Sequence, residues 1–301
     1  MTVRTETWEV GRSQARRRAA DFVALAKPRM VLMILITTLV GFYLGSWSGP
    51  DYGRLLATLL GTALAAGGTL ALNQFIEREA DARMERTRLR PLPDGRLTPV
   101  EGLAFGAVVA SAGLLLLTLA VSPLSGLVAA VVVSTYLFLY TPLKRRTALC
   151  SVVGAVPGAL PPVIGWTAAR GELGLGAWLL FAILFLWQIP HALAIAHLYR
   201  EDFARGGFRL LPVLEPDGRS TGRQVVAHSF ALLAVSLLPT LAGLTGGVYF
   251  VAALVFGVAF LACGVALAVA RSDAAARRLL CASLMYLPAL LAVMAYDKVG
   301  F

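Results

Sequence analysis

Asn73, Glu77 and Asp81 recur every four residues at the end of a long apolar run. On a helix this spacing makes one stripe, drifting about 40° per step over roughly 12 Å. Two ionised carboxylates four residues apart repel, and near hydrocarbon each acid costs about 3 kcal/mol or more. No cation on the same helix shares that face. Carbonyl and carboxylate oxygens suit Mg²⁺, which keeps waters and is usually shared with substrate phosphates. The pattern therefore points to a metal–diphosphate site. Solvated charges at a membrane surface are the plainer alternative, and Glu79 with Arg83 reads as an ordinary i, i+4 pair.

Arg83, Arg86, Arg88 and Arg90 follow and would supply guanidinium groups to a departing diphosphate. A basic loop at a membrane surface would look the same. Lys144 and Arg145, in the short basic stretch 140–147, could likewise reach a phosphate. A second constellation runs His197-Leu198-Tyr199-Arg200-Glu201-Asp202 to Arg205. Of its adjacent acids, Asp202 is favoured over Glu201, because it lies eleven residues after His191 and nearly on its face if the helix runs on. His191 follows Pro190 inside an apolar run, and an intramembrane histidine is a functional candidate by default. His197 and His228 form no ligand cluster with it.

These residues need elements to hold them. The chain has 301 residues, 58% of them hydrophobic, with mean hydropathy +0.74. Apolar runs near 20 residues recur throughout, so the reading is an all-α polytopic membrane protein of nine helices. Spans are expected at 30–47, 55–76, 101–121, 124–141, 148–168, 174–198, 226–246, 248–270 and 278–296. Residues 1–28 read as a basic cytoplasmic tail without a removable signal peptide, and 29–301 as one transmembrane domain. Similar acidic and Pro-Asp-Gly features in the loops 77–99 and 199–225 hint at a four-helix pseudo-repeat, 29–141 and 148–270.

The net charge of +10 does not indicate nucleic acid. With the N-terminus cytoplasmic, every Lys and Arg except Arg54, Arg170 and Lys298 falls on the cytoplasmic side, as the positive-inside pattern requires. Cys150, Cys263 and Cys281 have no metal or disulfide spacing and read as small core thiols. Gly154, Pro157, Gly158, Pro161, Pro162 and Gly165 crowd the fifth span. Either that span breaks to line a cavity for a large flat substrate, the sharper possibility, or its small residues allow close packing.

The stripe, followed by Arg86-Thr87-Arg88-Leu89-Arg90-Pro91-Leu92-Pro93-Asp94-Gly95-Arg96, resembles the intramembrane UbiA-type prenyltransferases. Ala26-Lys27-Pro28-Arg29, Tyr140-Thr141-Pro142-Leu143-Lys144-Arg145, the run 157–166, Trp187-Gln188-Ile189-Pro190-His191, and Tyr199-Arg200-Glu201-Asp202-Phe203 with Leu211-Pro212-Val213 look like the protohaem IX farnesyltransferase (haem O synthase) branch. The likeness extends over residues 21–225.

The resemblance implies nine helices around a central cavity, with farnesyl diphosphate bound through Mg²⁺ at two acidic motifs. Asn73, Glu77 and Asp81 would form the first, and Asp202 would anchor the second. The superfamily's second motif commonly has acids four apart, whereas position 206 here is Gly. Lys144, with Arg83, Arg86, Arg90, Arg145, Tyr199 and Arg200, would meet the diphosphate. His191 would position haem B, as an iron ligand. Farnesyl transfer to a haem vinyl group, with water added, would give haem O. A haem A synthase is the implied partner.

Polyprenyl transfer to an aromatic quinone precursor is the alternative acceptor reading, and the first motif cannot exclude it. An ion-coupled transporter is disfavoured because the acids sit at a membrane edge rather than at midplane. A purely structural haem-binding subunit would not need the stripe. Compact loops and a short tail favour a prokaryotic plasma membrane over the mitochondrial inner membrane.

Overall fold

In the computed structural model, residues 15–47 and 49–299 are described. The first fourteen residues of the expected basic tail lie outside them. Among the described residues, nine helices are long and apolar enough to cross a membrane. They are α1 (Pro28–Gly45), α2 (Tyr52–Asp81), α3 (Pro99–Val121), α4 (Pro123–Leu143), α5 (Cys150–Arg170), α6 (Leu175–Leu198), α7 (Arg219–Leu241), α8 (Gly247–Ala270) and α9 (Asp273–Tyr296). The chain is a multi-pass membrane protein.

Local chemistry sets the helix starts. Asp51 caps α2 by accepting from the Arg54 amide, and Thr98 with Glu101 forms a capping box ahead of Pro99. Ser122 caps α4 by accepting from the Ser125 amide. Helix α2 is longer than expected, with 30 residues. At 1.5 Å per residue it spans about 45 Å, against roughly 30 Å of hydrocarbon. Its final turns, with Glu77 and Asp81, therefore continue as helix to one end of the bundle. Helix α7 begins at Arg219, not near 226, because its polar first turns remain helical.

The fifth span breaks, and its glycines pack closely in both halves. It breaks at Leu160, giving Cys150–Ala159 and Pro161–Arg170. The second half is packed hard against α1: a Cβ on Gly165 would meet the Thr38 carbonyl oxygen at 2.0 Å, and one on Gly41 would meet that of Pro162 at 2.0 Å. Close packing thus explains the small residues there. In the first half, Gly154 and Gly158 make room for the Tyr140 ring and the Gln188 amide, side chains that lead toward the site described below.

Helix α6 is the inner helix. It contacts α5, α7 and α9, and no residue from 179 to 198 is exposed. Most large buried side chains belong to one continuous core around it. The cysteines are free, but only Cys150 is buried as expected; Cys281 is exposed on an apolar span, where lipid rather than water would meet it.

Candidate active site

Asn73, Glu77 and Asp81 are all buried, at 2%, 6% and 1% exposure, on the inward face of α2. The cations that meet them come from other elements. Lys144, just beyond α4, donates to Glu77 Oε1 at 2.8 Å, and Arg90 Nη1 donates to Asp81 Oδ2 at 2.7 Å. Asn73 Nδ2 donates to Thr141 Oγ1 at 3.1 Å, so its carbonyl oxygen stays available. Thr141 is presented by a wide π-helical turn, Thr135–Tyr140, and donates back to the Tyr136 carbonyl. Such turns often occur at functional sites.

Tyr140 completes this wall, with the Lys144 ammonium 4.4 Å from its ring centre. Burial opposes the charge on Lys144, but Tyr140 and the Glu77 carboxylate outweigh it and hold its pKa above the ordinary lysine range.

Lys27 lies beside this group although the spacing did not single it out, since a Lys-Pro-Arg before a span reads as a topology signal. It precedes Pro28 with a left-handed backbone, φ 49° and ψ 64°, which costs a non-glycine residue about 1–2 kcal/mol. Gln74 ties the segment to α2 by donating to the Leu25 carbonyl at 2.7 Å. Burial pushes the Lys27 amine down to about 7; the Arg90 and Lys144 cations push the same way, while Glu77 and Asp81 oppose them. Three cations and two carboxylates therefore share one electrostatic cluster.

The second acidic segment differs from expectation in its backbone. Helix α6 does not run on: Tyr199 leaves helical geometry at φ −113°, ψ 25°, and a short helix, Arg200–Arg205, follows. The shared-face argument linking Asp202 to His191 fails at that break. Asp202 is nevertheless buried and Glu201 exposed. Asp202 Oδ1 accepts from the Glu85 amide at 2.8 Å and from Arg205 at 2.9 Å, which joins this loop to the one after α2. Burial would raise the Asp202 carboxyl, but Arg205 and the Glu85 and Arg86 amides hold it below the usual range. Its Oδ2 is buried without a partner.

The arginines divide. Arg90 alone bonds the stripe. Arg83 donates to the Gly206 carbonyl at 3.1 Å, and Glu79 pairs with Arg78 instead of Arg83. Arg86 lies over the Tyr199 and Phe203 rings, at 5.4 and 5.6 Å. Arg200 bonds Asp273 and the His197 carbonyl, so it is already engaged away from the stripe. Arg145 and Arg88 are exposed. Arg86, Tyr199, Arg200 and Asp202 line a cleft of about 500 Å³ at this end of the bundle.

Among the described residues, no three His, Cys, Asp or Glu side chains cluster closely enough to form a metal site of their own. The oxygens present still fit a Mg²⁺ ion that brings its own phosphate ligands: the Asn73 carbonyl, the Glu77 and Asp81 carboxylates and the orphaned Asp202 Oδ2 are all hard donors.

Deeper in the bundle, His191 Nδ1 lies 2.7 Å from Ser283 Oγ of α9, and Trp187 stacks on the imidazole with centroids 4.9 Å apart. Gln188, one turn away, donates to the Ala155 carbonyl at 2.7 Å. His197 approaches Asp273 at 3.4 Å, and His228 bonds the Gln224 carbonyl, so neither joins His191.

Among the described residues, nine apolar helices carry a buried carboxylate stripe met by cations at one end. The UbiA prenyltransferase family model matches residues 34–290, and the chain belongs to that family. It is 48% identical over 289 residues to the protoheme IX farnesyltransferase of Solibacter usitatus, covering 93% of this chain and 99% of that protein. It is 44% identical over 284 residues to the protoheme IX farnesyltransferase of Salinibacter ruber, covering 92% and 98%. Among solved structures, a digeranylgeranylglyceryl phosphate synthase superposes with TM-score 0.78 at 15% identity, covering 93% of this chain and 98% of that one. A UbiA homologue from Archaeoglobus fulgidus bound to GPP and Mg²⁺ gives 0.68 at 15% identity, covering 91% and 99%. Membership of this family sets the transporter reading aside.

Proposed function

We propose that this protein transfers the farnesyl group of farnesyl diphosphate to a vinyl group of haem B, giving haem O and diphosphate. The observation that carries the chemistry is the meeting of buried carboxylates and converging cations at one end of the bundle. Haem as acceptor, rather than an aromatic quinone precursor, is supported by the near full-length likeness to protoheme IX farnesyltransferases.

The C1–O bond of farnesyl diphosphate breaks with its electron pair leaving on the diphosphate. The vinyl π pair then forms the new C–C bond. Water adds to the resulting cation beside the porphyrin and releases a proton.

Mg²⁺, when bound with the diphosphate, supplies Lewis-acid neutralisation of the leaving group. Asn73, Glu77, Asp81 and Asp202 would hold it. Lys144 and Arg90, now paired with Glu77 and Asp81, would turn to the phosphate oxygens as the carboxylates take up the metal, so the cluster exchanges counterions without leaving a buried charge alone. Lys27 adds a third cation to this exchange. Arg83 and Arg86 hold the two loops in register, Tyr199 and Arg200 shape the mouth, and Arg145 is free to meet incoming anions. His191 lies on the acceptor side.

The two acidic loops meeting at one end agree with a four-helix pseudo-repeat in a single domain, and the basic character of that end supports a cytoplasmic site with a cytoplasmic N-terminus. Compact loops and likeness to bacterial proteins support a plasma membrane. A haem A synthase is the reasonable consumer of the product. The test is mass analysis of haem extracted from proteoliposomes given haem B, farnesyl diphosphate and Mg²⁺. Haem O is the expected product; prenylation of an aromatic acid with haem untouched would overturn the assignment.

A further inference from the structure

Ser283 is fully buried in α9 and spends its single proton on the Leu280 carbonyl at 2.6 Å. With the hydroxyl proton on that carbonyl, the oxygen accepts from His191, whose Nδ1 is 2.7 Å away. This arrangement assigns the imidazole proton to Nδ1 and leaves Nε2 with its lone pair. Among the described residues no carboxylate pairs with this ring, so nothing there compensates a second proton.

The same serine holds the neighbouring ring. Its carbonyl accepts from Trp187 Nε1 at 2.9 Å, and Trp187 lies nearly parallel to the imidazole, with 19° between the planes. One residue of α9 thus fixes the tautomer, the tilt and the packing partner of His191. The half-buried side of α6 that carries His191 also carries Gln188 and Ile195. A neutral imidazole with a fixed tautomer and a free Nε2 inside a bundle is the arrangement that binds a metal axially, with the second ring nitrogen anchored by a hydrogen bond.

We infer that Ser283 is a positioning residue for the acceptor: it locks His191 as the Nδ1–H tautomer and presents Nε2 to the iron of the haem substrate. This rests on haem being the acceptor and deepens that reading. The vinyl group's placement relative to the farnesyl cation would then be set from the iron outward.

The experiment titrates purified full-length protein in nanodiscs with ferric haem B, without farnesyl diphosphate, and records the Soret band and the electron paramagnetic resonance spectrum. Wild type should show an imidazole-ligated signature. His191→Gly should lose it, and added imidazole should restore it. Ser283→Ala should weaken haem binding about tenfold, as losses of such anchoring bonds do, and broaden the ligation signature. Its KM for farnesyl diphosphate should be unchanged, which also shows that it folds. Ser283→Thr, which keeps the hydroxyl, should restore both affinity and signature.

Wild-type spectra and affinity in His191→Gly would remove the ligation while leaving haem O formation intact. A wild-type signature in Ser283→Ala, or a Ser283→Thr variant behaving like it, would overturn the role of the hydroxyl. Absence of haem O from the wild-type protein would instead count against the haem acceptor itself.

Discussion

The two ends of the bundle use the same kinds of cation for opposite purposes. At one end, Arg54 donates to the Val121 carbonyl at 2.9 Å, Arg170 to that of Gly45 at 3.0 Å, and Lys298 to that of Tyr43 at 2.8 Å. These carbonyls lie in the last turns of α3 and α1, at the negative end of the helix dipole. At the other end, Lys144 and Arg90 terminate on buried carboxylates of α2. A cation on a helix end completes a fold. A cation on a buried acid neutralises a charge the fold does not require, and on the proposed reading it would be released when a metal binds. The difference separates structural positive charge from poised positive charge.

The sharpest break in this comparison is Asp81→Asn, which removes one hard ligand from the poised end. Turnover should fall at least about 10²–10³-fold with the protein still inserted. Haem O formation at saturating Mg²⁺ measures it, and an unchanged rate would deny the carboxylate any metal role.

Lys144→Met should come next. It strands Glu77 in a buried setting, a loss of about 3–5 kcal/mol for a broken buried pair. The thermal midpoint in nanodiscs should drop. Adding Glu77→Gln should return most of the stability but no turnover, which separates the pair's cost to folding from its use in catalysis.

Lys27 gives a pH test. Its amine, held at about 7, is charged below that pH and neutral above it. The affinity of the free enzyme for farnesyl diphosphate should therefore weaken several-fold as pH rises from about 6 to 8.5. Lys27→Arg should flatten that profile. Between about 7 and the ordinary 10.5, the unfolded chain carries a proton on Lys27 that the folded chain lacks. This residue accordingly makes stability rise with pH across that window, and Lys27→Met should remove the slope. A KM profile identical in Lys27→Met and wild type would exclude Lys27 from the cluster.

The smallest effect belongs to the opposite end. Arg170→Met should cost about 1 kcal/mol of stability, the net worth of one hydrogen bond, with turnover unchanged. A large loss of turnover there would erase the distinction between the ends.

Much of the site was legible because its signals are local. A four-residue recurrence of Asn73, Glu77 and Asp81 shares a face on any helix, and its position after an apolar run puts it at a membrane edge. The choice of Asp202 over Glu201 reached the buried residue, although its argument required a helix that stops at Tyr199. Lys27 was hidden because a basic residue before a span satisfies topology whether or not it meets an acid. The partner of Arg200 was equally out of sight: the acid it bonds, Asp273, lies 73 residues away.

Hydropathy and the 3.6-residue period are properties of neighbouring residues, so the chain's own order of side chains was enough for the spans and the carboxylate stripe. Pairing is different. Many cations on one face satisfy the same topological need, and folding selects which of them lose their water beside a carboxylate. Packing of α4 against α2 assigned Lys144 to Glu77, and packing of α9 against α6 brought Ser283 to His191 across 92 residues. Those contacts are non-local and short-ranged, and no spacing along the chain encodes them.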